Sequence, residues 1–179
     1  MQEAHQNLEY LILSFSNIVK KRNNLILVVA GSAPRIKSKY FDNLKNLTIK
    51  LGIEDHVRFT GSVEDEDIPK ILQISKIVVL PYIQITQSGV LYREVIPYNK
   101  PVIVTNVGGI GETIRRYNIG ISVDPKNSEL LANAISDLLT NEKKMKTIRN
   151  NMSKIKNKFS WDSIAKLHIK IYHEVIFSV

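Results

Sequence analysis

The sequence predicts an α/β fold: one domain over residues 1–179, an open parallel sheet with helices on both faces, and a helical C-terminus. Three observations carry this. Strand-sized apolar runs ("LILVVAG", "KIVVLPY", "PVIVTN") alternate with segments of helical periodicity, the pattern of βαβ crossovers and a parallel sheet. The runs are continuous rather than alternating, as in strands buried on both faces. Glycine follows closely after several of them, where open sheets of this kind place their ligand loops.

The elements follow in order. Leu8, Leu11, Ile12, Phe15, Ile18 and Val19 recur at i, i+3, i+4 spacing, which predicts an amphipathic helix ended by the basic "KKRNN". "LILVVAG" is the first strand and "GSAP" its turn. Residues 40–51 read as a helix closed by Gly52 as a C-cap. "HVRFTG" is a short strand, "DEDIPKILQIS" a helix with acids in its first turn, and "KIVVLPY" a buried strand. The tetrad Thr86, Gln87, Ser88, Gly89 opens the next helix; "PVIVTN", "GGIGETIRRYN" and "GISVD" then give strand, helix and strand. From Ser128 onward three helices remain, the last with Ser160 as N-cap. No internal repeat, low-complexity tract or linker interrupts the pattern.

Composition narrows the function. With 44% hydrophobic and 23% charged residues, the chain is an ordinary globular one. It has no cysteine, which excludes disulfides, thiolate zinc sites and cysteine nucleophiles and fits a reducing compartment. "MQEAHQNLEY" lacks a basic stretch leading into an apolar one, and the longest apolar runs fall far short of the ~20 residues that span a bilayer. A cytoplasmic location is therefore expected. The net charge is +8, and nine lysines and arginines lie between Lys143 and Lys170 against the single acid Asp162. Two readings stand: a solvated helix face, or peripheral contact with an anionic membrane surface at its inner face. Nucleic acid is not expected, because the basic region lacks interleaved aromatics and no recognition motif occurs.

Ligands of such sheets bind beyond the carboxyl ends of the strands, which singles out the loops at 31–34, 61–63, 81–89 and 106–109. In "ITQSGVLYREV", Ser88 and Gly89 stand at a helix start. First-turn amides there lack intrahelical partners and carry partial positive charge, a site for phosphate. Gly89 permits close approach. Glu94 follows one turn beyond Val90 on the same face, able to accept hydrogen bonds from two vicinal hydroxyls. Diphosphate at the helix start and ribose on the acid is one reading. Ser88 as an N-cap, with Glu94 a solvated surface acid, is the other. No Walker A loop is present, and no G-x-G-x-x-G follows the first strand, which speaks against a dinucleotide oxidoreductase.

The stretch "LPYIQITQSGVLYREVIPYNKPVIVTNVGGIGETI" resembles the nucleotide-sugar-binding segment of retaining GT-B glycosyltransferases of the group 1, glycogen synthase-like family, which includes lipopolysaccharide and capsule enzymes. "NKPVIVTNVGGIGE" matches that family's "GKPVVATDVGGIPE" nearly position for position, with Asn99 for the usual glycine and Gly111 for the usual proline. "NLILVVAGSAP", "LGIEDHVRFTGSVEDEDIPKILQISKIVVLPY" and "FSWDSIAKLHIKIYHEV" are similar to the family in the expected order. The resemblance implies a Rossmann-like GT-B half, the C-terminal one, that binds a nucleotide-diphospho-sugar donor. Glu94 would hold the ribose hydroxyls, and Ser88, Gly89 and Val90 would offer amides to the diphosphate. Thr86 or Gln87 would reach a sugar hydroxyl, and Val63, Pro81 and Tyr82 would lie near the base. No metal and no cofactor are implied; His168 and His173 are five apart and do not share a helix face.

Three departures bear on activity. The first glutamate of the family's pair falls on Thr86. The family's diphosphate-binding lysine falls on Gln6, and its arginine before residue 1. The N-terminal GT-B domain, with the acceptor site and the usual catalytic histidine, and the first strand of the C-terminal domain have no counterpart in these residues, so no catalytic residue is assigned; His5 and His56 are read as surface residues. The expected role is the donor half of a hexosyltransferase-type enzyme, with this chain alone inactive. The alternative is a truncated, non-catalytic nucleotide-binding module. Exposed apolar surface, and with it self-association, is also expected.

Overall fold

The computed structural model describes residues 5–31 and 38–177. It is the expected α/β architecture of parallel strands flanked by helices. In chain order the elements are β1 (His5–Gln6), α1 (Leu8–Val19), β2 (Leu27–Val29), α2 (Ser38–Leu51), β3 (Val57–Phe59), α3 (Ile68–Ile74), β4 (Val78–Leu80), β5 (Tyr82–Gln84), β6 (Val102–Thr105), α4 (Ile110–Tyr117), β7 (Gly120–Val123), α5 (Ser128–Thr140), α6 (Glu142–Ile155) and α7 (Trp161–Phe177). A π-helical turn, Leu91–Val95, lies between β5 and β6, and short 3₁₀ turns precede β3 and α7.

The core has two layers because β4 and β6 are covered on both faces. Ile103 and Val79 point into one layer with Leu11, Ile12 and Phe15 of α1, Leu44 of α2, and Leu131, Ile135 and Leu138 of α5. Their neighbours Val102, Val104 and Leu80 point into the other, with Leu91, Val95, Ile110 and Ile114. All six apolar positions read from the first helix are buried. Gly52 closes α2 at φ +67, its N–H bonded to the Ile49 carbonyl. Ser160 Oγ accepts from the Ser163 amide, capping α7 as expected.

Four expectations change. The "LILVVAG" strand is only three residues long, and Ile26 is 54% exposed rather than buried on both faces. The reason is topological: among the described residues β2 pairs only with β3, and the second parallel group is β4-β6-β7, so the parallel strands fall in two pieces. The strand β5 is additional, paired antiparallel with β1, and only distant chain contacts create it. The helix opened by the tetrad is π rather than α over Leu91–Val95. Pro97 supplies a cause, since it offers no N–H to the preceding turn; the Ile96 amide bonds back to the Leu91 carbonyl and Lys100 to Val95.

Candidate functional site

The carboxyl ends of the strands carry the loops picked out by sequence, and they meet in two pairs. Gly31 bridges Gly61, joining the loops after β2 and β3; positions 32–34 lie outside the described residues. The Gly109 amide donates to the Thr86 carbonyl at 3.2 Å, joining the loops after β5 and β6. Gly108, at φ +53, lies so close to the Ile85 and Thr86 carbonyls that a Cβ would overlap the Ile85 oxygen. That contact keeps the second loop flat against the first.

From this base the chain turns at Ser88 into the helix. Ser88 is 1% exposed. Its Oγ accepts from the Leu91 amide at 3.2 Å and lies 3.2 Å from the Tyr82 hydroxyl. The side chain is therefore a cap, and only backbone remains for a ligand there. Tyr82 is equally enclosed: buried, its hydroxyl engaged by Ser88 and its carbonyl accepting from Thr105 Oγ1 at 2.5 Å. Thr86, Gln87, Gly89 and Val90 are exposed around this rigid centre. Gly89 and Val90 occupy the positions whose amides have no intrahelical acceptor, and nothing lies within 4 Å of where a Gly89 Cβ would stand.

Glu94 sits in the π turn, its side chain 19% exposed, with Oε1 3.6 Å from the Arg93 guanidinium. A π turn re-aims side chains relative to an α-helix and is frequent at functional sites. Tyr82, Thr86 to Val90 and Glu94 thus belong to one continuous stretch. Val63 does not: it is half-buried in the loop after β3, on the other piece of the sheet. Pro81 is buried, and its carbonyl accepts from the Asn7 amide at 2.9 Å. The side chains of His5 and Gln6 lie outside the described residues. His56 Nδ1 is 3.1 Å from the Leu25 carbonyl, a structural contact. Among the described residues no group of three or more His, Asp or Glu is placed to hold a metal ion.

Sequence reasoning missed a supporting layer. Tyr92 and Thr113 hydroxyls are 3.0 Å apart, tying the π turn to α4. Arg115 donates to Asn106 Oδ1 at 2.7 Å, bringing a guanidinium up to the loop after β6. Gly111 makes room for this, since a Cβ there would meet Asn106 Oδ1. The one local signal was "GGIGETIRR", whose arginine lies nine residues after Asn106.

Comparisons with known proteins give the family and the fold. The family model described as glycosyl transferases group 1 matches residues 2–155. An uncharacterised glycosyltransferase of Methanocaldococcus jannaschii is 33% identical over 168 residues, covering 93% of this chain and 41% of that protein. The GDP-mannose-dependent alpha-(1-6)-phosphatidylinositol monomannoside mannosyltransferase of Mycobacterium tuberculosis is 27% identical over 135 residues, covering 72% of this chain and 34% of that protein. Among solved structures, HepE of Anabaena in complex with UDP-glucose superposes with a TM-score of 0.77 at 23% identity, covering 94% of this chain and 45% of that one. The chain spans less than half the length of these relatives.

Proposed function

The chain belongs to the glycosyl transferases group 1 family, and from that premise we propose that it is the donor-binding half of a glycosyltransferase. With an N-terminal partner domain it moves a sugar from a nucleoside diphosphate sugar to a glycan or lipid-linked acceptor, of the lipopolysaccharide or capsule kind. The observation that carries this reading is the exposed helix start at Gly89 and Val90, followed by the half-buried Glu94. Gly89 and Val90 amides donate to the diphosphate oxygens, where the helix start offsets charge that grows as the bond to the sugar breaks. The Glu94 carboxylate accepts from two ribose hydroxyls. Thr86 or Gln87 bonds a sugar hydroxyl, and Val63 and Tyr82 border the base, Tyr82 through its backbone. Support comes from two similar proteins, one solved with UDP-glucose and one named for GDP-mannose.

Calorimetric titration with UDP, GDP and ADP tests the site. One nucleotide binds saturably, and Glu94→Ala weakens it roughly 10- to 100-fold, the worth of one or two hydrogen bonds to a charged group. Equal affinity in the wild type and Glu94→Ala sinks the assignment. A nucleotide-binding module without turnover is the second reading, favoured by the neutral, exposed Thr86 where the family carries an acid. Sugar transfer on adding an N-terminal GT-B half separates the two.

The nine basic residues from Lys143 to Lys170 are all exposed, which supports an anionic membrane surface as a further partner of the cytoplasmic enzyme. No helix of the described residues is long and apolar enough to cross a membrane. Co-sedimentation with phosphatidylserine vesicles that is lost at high salt is the expected result; binding that ignores both lipid charge and salt would argue against it.

A further inference from the structure

We propose that Phe159, at the joint between α6 and α7, is a positioning residue of the donor site: through Tyr92 it fixes the direction of Glu94. The role rests on the reading of Glu94 as the ribose-binding acid, and adds to it a side chain from the far end of the chain. Phe159 closes the 3₁₀ turn Lys156–Phe159. Its ring centroid stands 5.1 Å from that of Tyr92 with the planes tilted by 53°, and 5.6 Å from that of Tyr117 with the planes at 89°. Both are arrangements that aromatic pairs favour.

The joint is itself anchored. Met152 is fully buried in the layer that holds Leu91 and Val95, and Ile155 packs against that layer. Asn151 Nδ2 donates to the Asn118 carbonyl at 3.0 Å, tying α6 to the end of α4. Lys158 and Arg116 stand over the Tyr117 ring, 5.1 and 5.7 Å from its centroid, where cation–π attraction holds them.

From Tyr92 an unbroken set of contacts reaches the site. Thr113 Oγ1 donates to the Gly109 carbonyl at 3.0 Å, so the Tyr92 hydroxyl, 3.0 Å away, donates to Thr113. The Gly109 amide in turn donates to the Thr86 carbonyl. Tyr92 and Glu94 are two positions apart in the π turn Leu91–Val95 and project to nearly opposite sides of it. Leu91 and Val95 are fully buried and hold the turn along one line. Tyr92 opposes rotation about that line, and any rotation swings Glu94 with it. The turn needs this hold, because its entry bond, from the Tyr92 amide to the Ser88 carbonyl, is long at 3.4 Å.

The test compares Phe159→Leu and Tyr92→Phe with the wild type; the second keeps the ring packing and removes only the hydroxyl. Each is expected to weaken binding of the nucleotide selected among UDP, GDP and ADP by roughly three- to tenfold, the worth of one aromatic pair. Amide exchange at 91–96 is expected to quicken in both. In a Glu94→Ala background the same changes should cost no further affinity, because they act through Glu94. Ile135→Val, in the other core layer, controls for general loss of stability and should leave affinity unchanged. Equal losses with and without Glu94 overturn the proposal, as does a matching loss in Ile135→Val or unchanged affinity in both variants. A wild-type chain that binds none of the three nucleotides defeats the donor reading alone. Exchange at 91–96 then decides for Phe159: faster in Phe159→Leu supports its hold on the turn, and unchanged overturns it.

Discussion

Asn99 holds a backbone φ of +55 and buries an Oδ1 without a hydrogen-bond partner. Both features cost free energy in a non-glycine residue. The sequence marked this position by the glycine that the related motif carries, and the left-handed φ is the physical reason for that glycine. Asn99→Gly is expected to stabilise the fold by about 1 kcal/mol, the relief of an unpaired buried oxygen less the added flexibility of the unfolded chain, read as a rise in urea midpoint. Gly108 argues the opposite case. Its φ is +53 and a Cβ would strike the Ile85 carbonyl, so Gly108→Ala should destabilise by roughly 1–3 kcal/mol. Gly89 has open space around it; Gly89→Val should leave melting nearly unchanged while weakening nucleotide binding by crowding the amides. A Gly89→Val chain that binds as tightly as wild type would move the diphosphate elsewhere.

Among the elements, those with local signals were legible and those made by distant contacts were not. The period of α1, the Gly52 stop and the continuous run of β6 each follow from neighbouring residues. β5 exists only because β1 pairs with it across about eighty positions of chain, and nothing within "YIQ" announces that. The π turn depends on Pro97 disturbing a helix already begun, a conflict visible only when both are in place. Ser88 was read two ways, and the structure gives its side chain to the cap, so that the helix start presents only the backbone amides of Gly89 and Val90, which have no intrahelical acceptor. The α1–α2 pair adds a testable contact: the Tyr40 hydroxyl donates to Glu9 Oε2 at 2.8 Å and accepts from the Leu8 amide at 3.3 Å. Burial first, then the Glu9 hydrogen bond, pushes the Tyr40 pKa up to about 12. A folded-state pKa above the unfolded value of about 10 means this contribution is whole below pH 10 and lost as pH rises toward 12. Tyr40→Phe should therefore lower stability at neutral pH and flatten its decline between pH 10 and 12. An alkaline decline of unchanged slope would show that Tyr40 does not titrate with unfolding.

At the scale of the molecule, the sequence conveyed the layer architecture but not the division of the sheet, because continuous apolar runs report that a strand can be buried and not what lies beside it. The same limit applies to α7. Its apolar residues recur at helical spacing, as those of α1 do, yet Trp161 is 76% exposed and Val175 68%, while Phe159 just before it packs on Tyr92 and Tyr117. An apolar face left in water contributes little to folding and favours association. Ending the chain after Ser160 should then shift the unfolding free energy by less than about 0.5 kcal/mol and reduce any concentration-dependent increase in sedimentation coefficient. A loss well above 1 kcal/mol, with no change in association, would mean that α7 folds back onto the domain in solution. The opposite pattern, unchanged melting with a shift to monomer, would identify α7 as the surface through which the chain meets its neighbours.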